Sequence, residues 1–329
     1  MRLLVIGASG QVGRAIVEEA PDWDFEVIGT YGSKPMPGEA VPLEHFHLDM
    51  TDKQELAQIF HHAKPDACVL AAAFTNVDGC ELEKERAERV NVEGTRNVAE
   101  ECKNRNCLFV FISTDYVFDG KDGPYGEEDA PNPINNYGRT KLEGERIAQG
   151  VKEHLVVRTT VVYDFRDAKN FAARMAERLE AGEQVNVPVD QVGNPTWAPN
   201  LAEAICELTA EKKRGTYNVA GSDRMSRFEF ALVVARFLGL KEKLLRPVRT
   251  EDIGQAAKRP LKAGFRLGKA KKELQTKLLG VKDALKQADE RGMMGAFALE
   301  EKKEPDEKLW GKEKTGGEAG VKKRGENHG

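Results

Sequence analysis

Residues 7–13 read Gly7-Ala8-Ser9-Gly10-Gln11-Val12-Gly13 and directly follow an apolar run at residues 3–6. The apolar run predicts a buried strand, and the sequence after the last glycine predicts a helix. Glycines suit such a junction because the backbone turns sharply, approaches a ligand closely and packs helix against strand. The N-terminus of the helix offers free N–H groups and a partial positive charge to phosphates. The stretch therefore predicts a dinucleotide-binding turn, with the spacing GxxGxxG rather than GxGxxG.

Apolar runs and amphipathic stretches alternate through the first half of the chain. The predicted strands are residues 3–6, 25–28, 45–48, 67–72, 108–112 and 155–157. The predicted helices are residues 51–63, 81–104 and 136–149, and a capping box at Thr51 opens the first of them. Several strands are apolar almost throughout, which is typical of strands covered on both faces. The pattern predicts an α/β fold with a Rossmann-like, doubly wound parallel sheet.

The pattern changes after about residue 160, which predicts a smaller C-terminal lobe that binds substrate. We predict a dinucleotide-binding Rossmann domain over residues 1–162 that also uses about 188–222, and a substrate-binding lobe over 163–187 and 223–288. Ser226-Arg227-Phe228-Glu229 is a second capping box, and it opens a helix that Gly239 stops. Residues 289–329 are charged and poor in apolar side chains, which predicts a disordered tail.

The composition argues against several classes of function. The chain has 329 residues and a net charge of −4, whereas a general nucleic-acid binder needs a basic surface. No apolar run approaches the roughly 20 residues of a membrane span, and the first run is too short for a signal peptide. We therefore expect a cytoplasmic protein without nucleic-acid or membrane partners. The five cysteines form no CxxC pair and the histidines lack a third ligand, so no metal site is predicted.

The end of the second predicted strand indicates which dinucleotide is bound. An acidic residue there would bond the ribose 2′-hydroxyl of NAD. The run from residue 28 to residue 34 has no acid, and Ser33 and Lys34 could instead receive the 2′-phosphate of NADP. We therefore predict NADP(H), although a solvated loop lysine is the alternative interpretation of Lys34. Asp49, after the third strand, is predicted to reach the adenine or simply to cap a turn.

The stretch Tyr137-Gly138-Arg139-Thr140-Lys141 places a phenol and an ammonium four residues apart on one helical face. A nearby cation favours the phenolate and lowers the pKa of the tyrosine. A surface Tyr–Lys pair is the alternative interpretation, because the spacing is common by chance. The pair gains weight from Ser113-Thr114-Asp115, which follows an apolar strand. The carboxyl ends of parallel strands border the ligand crevice, so a hydroxyl there can meet the same substrate carbonyl as the tyrosine.

Taken together, these stretches resemble the dTDP-4-dehydrorhamnose reductase family of the extended short-chain dehydrogenase/reductases. The matching stretches, in chain order, are residues 7–13, 71–81, 90–91, 113–120, 137–145, 190–196 and 259–260. The resemblance implies a catalytic trio of Thr114, Tyr137 and Lys141, the last two also touching the cofactor. It implies that the cofactor NADP(H) runs along Ala71, Ala72 and Ala73. It also implies that a nucleotide-sugar substrate is placed by Asp115, Tyr116 and Arg259.

One position departs from the family. After the strand that ends at Arg158, these reductases typically carry a tryptophan that contacts the sugar, and this chain has Val161. The same stretches also resemble the regulatory β-subunit of methionine adenosyltransferase, which binds NADP, is not chiefly an enzyme and also lacks the tryptophan.

The sequence therefore predicts NADPH-dependent reduction of a nucleotide-linked 4-keto-deoxysugar, as in dTDP-L-rhamnose biosynthesis. A non-catalytic, NADP-binding regulatory subunit is the alternative. The sugar, the nucleotide and the oligomeric state stay open, a homodimer being one possibility.

Overall fold

The computed structural model describes residues 1–35 and 44–297. Its strands are β1 (Arg2–Ile6), β2 (Glu26–Tyr31), β3 (Glu44–His47), β4 (Ala67–Leu70), β5 (Leu108–Thr114), β6 (His154–Thr159), β7 (Val162–Tyr163), β8 (Val185–Pro188), β9 (Val192–Gly193), β10 (Thr196–Trp197), β11 (Gly215–Asn218), β12 (Met225–Ser226) and β13 (Leu245–Val248). Its α-helices are α1 (Gln11–Glu19), α2 (Lys53–Ala63), α3 (Val77–Leu82), α4 (Lys84–Glu88), α5 (Thr95–Arg105), α6 (Asn136–Gln149), α7 (Phe171–Glu180), α8 (Ala198–Ala210), α9 (Arg227–Phe237), α10 (Gly268–Glu273) and α11 (Val281–Glu290).

Seven of these strands form one parallel sheet in the order β11-β6-β5-β4-β1-β2-β3. Strand β1 shows why several of the strands are apolar almost throughout. Leu3 and Val5 pack into the core on one face of the sheet, whereas Leu4 and Ile6 pack into the core on the other face. Successive side chains of a strand point to opposite faces, so a sheet covered on both sides needs apolar residues at every position. The predicted doubly wound parallel sheet is confirmed.

The remaining strands form short pairs beyond this sheet: β7 with β10, β8 with β13 and β9 with β12. Helix α9 begins with the predicted capping box, in which Ser226 and Glu229 bond each other's backbone N–H. It ends at Phe237, two residues before Gly239, whose φ is +67°. None of the helices in the described ranges combines the length and hydropathy that a membrane crossing needs.

Two helix predictions were wrong in detail. The side chain that caps α2 belongs to Asp52 rather than Thr51, since it accepts the N–H groups of Gln54 and Glu55. The single helix predicted at residues 81–104 is divided among four elements: the end of α3, then α4 after an interruption at Glu83, a π-helical turn at Arg89–Gly94, and α5. A π-turn inside a helix often marks a functional site.

The predicted tail boundary at residue 289 also lies too early. That residue is inside α11, and the chain packs on the body as far as Phe297. Met294 is fully buried, and the Arg291 guanidinium bonds Glu19 at 2.5 Å and lies over the Trp197 ring. Helix α11 and these contacts bury apolar side chains in a stretch whose charged composition predicted disorder. The rest of the predicted tail, residues 298–329, lies outside the described residues.

Candidate functional site

The glycine-rich turn joins β1 to α1 as predicted. Gly7 has φ +90°, and a Cβ added there would lie 2.7 Å from the backbone nitrogen of Ala72. A Cβ added at Gly13 would overlap the carbonyl oxygen of Gly7. The two glycines are therefore required by close packing of the backbone, which is the reason the local sequence was so informative.

The first turn of α1 is open to a ligand. Its N-cap is Gly10, no side chain of the described residues caps it, and its first turn carries no acid. The side-chain nitrogen of Gln11 is buried without a hydrogen-bond partner in the part of the chain that the structure describes. Ser9 and Val12 are half-buried beside it. Uncapped N–H groups at a helix N-terminus suit the pyrophosphate of a dinucleotide.

The loop after β4 lies directly beside this turn. The backbone N–H groups of Ala71 and Ala72 both bond the carbonyl oxygen of Ile6, and Ala73 follows them. Asn91, in the π-helical turn, then holds the loop through two bonds with the Phe74 backbone, at 2.7 and 3.1 Å. Its amide also donates to the Thr140 hydroxyl at 3.1 Å. Sequence reasoning missed this role, although its position within a matched family stretch was a signal.

The predicted adenosine contacts lie at the far end of the sheet. Ser33 and Lys34 are exposed just after β2, and the chain beyond residue 35 is not described until residue 44. Asp49 is also exposed, and it accepts the N–H and the hydroxyl of Thr51 at 2.9 and 2.8 Å. These bonds lower the pKa of the Asp49 carboxyl. The geometry therefore shows Asp49 closing a turn, and its adenine contact stays a prediction.

The three implied catalytic residues meet at the carboxyl end of β5. Thr114 ends that strand, while Tyr137 and Lys141 lie on successive turns of α6, which the Asn135 side chain caps. The Tyr137 ring is half-buried and meets the Tyr116 ring edge-on, with 5.6 Å between centroids.

Burial controls the electrostatics of this trio. It raises the pKa of Tyr137 well above the ordinary value, the Cys80 thiol adds to the rise, and the Thr114 hydroxyl opposes it. Burial also lowers the pKa of Lys141 to about 8, and the ammonium lies 4.1 Å from the centre of the Phe111 ring. The predicted lowering of the pKa of Tyr137 is therefore wrong for this structure, and Lys141 is not among the largest influences on that pKa. A phenol with a raised pKa stays protonated at neutral pH, which is the state a proton donor needs.

Of the three implied substrate residues, Tyr116 and Arg259 line the neighbouring cleft, and the side chains of Asp115 and Arg259 are already hydrogen-bonded within the protein. Asp115 is buried, which raises the pKa of its carboxyl, and it accepts the Thr160 hydroxyl at 2.6 Å. The Arg259 guanidinium donates two hydrogen bonds to the Asp78 carboxylate, at 3.0 and 2.7 Å. Arg259 thus ties its own segment to α3, and its contact with substrate stays a prediction. Tyr116 reaches the cleft beside it.

That cleft has a volume of about 480 Å³ and lies between Tyr116 and the C-terminal elements α7, β8 and α9. Among the described residues that line it, none is acidic. Its cationic side chains are Lys169, Arg174, Arg178, Arg227 and Arg259. Arg227 packs over the Phe171 ring at 5.2 Å and faces Asp115 and Tyr116. A cleft lined by cations and an aromatic ring suits an anionic ligand with a flat group.

Val161 lies against the same site. Its φ is +49°, which is a strained conformation for a β-branched residue. Its side chain is close to Gly193, where an added Cβ would lie 3.0 Å from Val161 and 3.9 Å from the Asp115 carboxylate. The departure noted in the sequence is therefore located beside the Asp115–Thr160 pair.

The motif resemblance is matched by similarity to known proteins. The dTDP-4-dehydrorhamnose reductase of Aggregatibacter actinomycetemcomitans is 33% identical over 273 residues, which cover 79% of this chain and 88% of that protein. Methionine adenosyltransferase 2 subunit beta of Xenopus tropicalis is 30% identical over 268 residues, covering 79% of this chain and 78% of that protein.

A solved dTDP-4-dehydrorhamnose reductase of Bacillus anthracis in complex with NADP is similar in structure. It has a TM-score of 0.78 at 30% identity and covers 87% of this chain and 97% of that one. The family described as RmlD substrate binding domain matches residues 1–294. The extent of that match shows that the chain belongs to the RmlD substrate binding domain family.

Proposed function

We propose that this protein is an NADPH-dependent reductase of a nucleotide-linked 4-keto-deoxysugar, similar to the dTDP-4-dehydrorhamnose reductases. One observation carries the proposal. The half-buried phenol of Tyr137, beside Thr114 and Lys141, lies in contact with Tyr116, which lines a cationic cleft that has no acid among its described lining residues. A reductase of an anionic keto sugar needs a proton donor at the edge of such a cleft.

The residues present fit a dinucleotide. The uncapped first turn of α1 would hold the pyrophosphate, with the backbone of residues 7–13 and of Ala71–Ala73 on either side. Ser33 and Lys34 would hold the 2′-phosphate, and Lys141 would hold the hydroxyls of the nicotinamide ribose. When bound, NADPH would supply a hydride to the keto carbon.

The chain's own residues would then complete the reduction. Tyr137 gives its phenolic proton to the oxygen that becomes the sugar hydroxyl, since the phenol is protonated at neutral pH. The Thr114 hydroxyl donates a hydrogen bond to the same oxygen and holds the carbonyl in position. Lys141 places a positive charge beneath the site, where the developing oxyanion benefits most because water is excluded.

The cleft would hold the nucleotide diphosphate. Arg227 is the best placed of its cations, because it packs over the Phe171 ring and faces the Asp115–Tyr116 segment. Arg174 and Lys169, which are exposed at the mouth, would add charge-assisted contacts. Asp115 and Tyr116 would orient the sugar between this anchor and Tyr137.

A non-catalytic NADP-binding regulatory subunit is the second candidate. The observation that favours it is the similarity to the methionine adenosyltransferase β-subunit, which covers most of this chain. A binding site can retain Thr114, Tyr137 and Lys141 for the cofactor alone, so the trio does not separate the two candidates.

A turnover assay distinguishes the reductase from the regulatory subunit. NADPH oxidation should be measured with a panel of dTDP- and UDP-linked 4-keto-6-deoxysugars, including dTDP-4-keto-6-deoxy-L-mannose, alongside NADPH titration. We expect turnover with at least one member of the panel. Tight NADPH binding with no turnover across the panel would favour the regulatory candidate. Failure to bind NADPH would contradict both.

A further inference from the structure

A buried carboxylate lies one helical turn beyond Lys141. Glu145, on α6, is 1% exposed and accepts three hydrogen bonds. Arg158 on β6 donates its Nε to Oε1 at 2.9 Å and its Nη2 to Oε2 at 2.7 Å. The Ser113 hydroxyl, next to Thr114 on β5, donates to Oε1 at 2.5 Å. The cluster therefore joins three elements that surround the catalytic trio.

The remaining contacts of Arg158 complete the cluster. Its Nη1 donates to the Glu127 carbonyl at 3.1 Å, and its guanidinium lies 5.2 Å from the centre of the Phe118 ring. A buried ion pair costs much in desolvation, and apolar residues of similar volume often serve stability as well or better. Stability alone therefore gives a weak reason for a buried ion pair at this place in the fold.

The neighbouring Lys141 ammonium offers a stronger reason for a buried carboxylate at this place. Its burial disfavours its charge, whereas the face of the Phe111 ring, 4.1 Å away, favours it. Tyr137 and Glu145 lie one turn before and one turn after Lys141 on α6, the spacing that puts side chains on the same face of a helix. Glu145 and the Cys80 thiol of α3 both raise the pKa of Lys141, and Glu145 is the only full negative charge among the influences on it. Beyond Glu145 lie Arg158 and Ser113, which fix that carboxylate in place.

We propose that Glu145, held by Arg158 and Ser113, is a positioning residue that keeps the Lys141 ammonium charged at neutral pH. The inference rests on the proposed function in assigning Lys141 a use, and it adds the group that maintains its charge. Without the carboxylate, the pKa of Lys141 falls below its value of about 8. The ammonium then loses its proton as the pH rises through that lower value, so the alkaline limit of Lys141-dependent binding moves down in pH.

The test uses Glu145→Gln in the full-length protein, with Glu145→Asp as the conservative variant. The NADPH dissociation constant is measured between pH 6.5 and pH 10. The rate at which acetic anhydride acetylates Lys141 is measured over the same range by mass spectrometry. We expect the midpoint of both profiles to fall by about one pH unit in Glu145→Gln, the usual effect of a nearby opposite charge, and to change little in Glu145→Asp.

Glu145→Gln leaves Arg158 buried without a counter-charge and could fail to fold. The double variant Glu145→Leu with Arg158→Met removes both charges and keeps the volume, so it should fold and show the same fall. The control is Asp164→Leu with Arg166→Met, which removes another mostly buried pair, 2.7 Å apart, leaves Glu18 its ion pair with Arg14, and should leave both midpoints unchanged.

The outcomes are separable. Midpoints equal to wild type in a folded Glu145→Gln or in the double variant would overturn the inference. An equal fall in the Asp164/Arg166 control would also overturn it, because a general loss of packing would then explain the shift. Failure of wild type to bind NADPH at any pH would contradict the proposed function, while the acetylation profile would still test the role of Glu145.

Discussion

The two halves of the candidate site, the dinucleotide half and the cleft half, differ in whether backbone or side chains line them. The dinucleotide half is mostly backbone: Gly7 and Gly13 are required by close approach, and the helix start beside them is uncapped. The cleft half is mostly side chains, and Arg227 and Arg174 reach it from two different helices of the C-terminal part. A backbone site suits a ligand common to many proteins, whereas a side-chain site can change its ligand by substitution. Tyr137 lies where the two halves meet.

The largest effect is expected at Tyr137, which lies between the dinucleotide half and the cleft half. Tyr137→Phe keeps the ring and its contact with Tyr116 and removes only the hydroxyl. Loss of a general acid typically lowers the rate about 10²- to 10⁴-fold, which is roughly 3–5 kcal/mol. We expect that loss in the turnover number for the keto sugar, with NADPH affinity and melting temperature close to wild type. Retention of most of the wild-type rate would show that another group donates the proton.

Arg227→Met should weaken binding in the cleft half alone. The substitution keeps the packing on Phe171 and removes the charge. A charge-assisted contact to a phosphate contributes about 1.5–3 kcal/mol, so the KM for the nucleotide sugar should rise roughly ten- to a hundredfold. The NADPH dissociation constant should not change. Arg178→Met is a control in the same cleft, because Arg178 is exposed and already paired with Glu183. An equal rise in both variants would indicate only a general effect of positive charge.

Lys34→Ala tests the side chain that we propose for the 2′-phosphate in the dinucleotide half. If Lys34 holds the 2′-phosphate, NADPH binding should weaken roughly ten- to a hundredfold, while NADH binding and the sugar KM stay near wild type. Both dissociation constants are measured by titration. Equal losses for NADPH and NADH would remove Lys34 from the 2′-phosphate and leave it as a solvated loop lysine.

The smallest effect is expected at the C-terminal end. Deleting residues 300–329 should leave the melting temperature and NADPH affinity nearly unchanged, because that composition offers little to bury. Deleting residues 291–329 also removes buried Met294 and Phe297, and should lower the melting temperature by about 5 °C or more. Calorimetry of the two truncations compares them directly. Equal melting temperatures would show that the contacts of residues 291–297 contribute little stability.

Sequence reasoning succeeded where the physical requirement is local. The apolar run of β1, the glycines of the turn and the capping box at Ser226 each depend on neighbours within a few residues. It failed where a distant contact changed a local preference. Asn91 bonds the Phe74 backbone from a π-helical turn, and that turn interrupts what the pattern predicted as one helix.

The sequence by itself determined the parallel sheet, the dinucleotide turn and the spacing of Tyr137 and Lys141, because periodicity and steric demand act over short stretches. Only the tertiary structure decided which charged groups pair around them and in which direction their pKa values shift. Arg158 reaches Glu145 across 13 positions and Arg259 reaches Asp78 across 181. Burial then reversed the expected direction of the pKa of Tyr137. Burial and long-range pairing depend on how the elements pack, and that packing is absent from any single stretch of the chain.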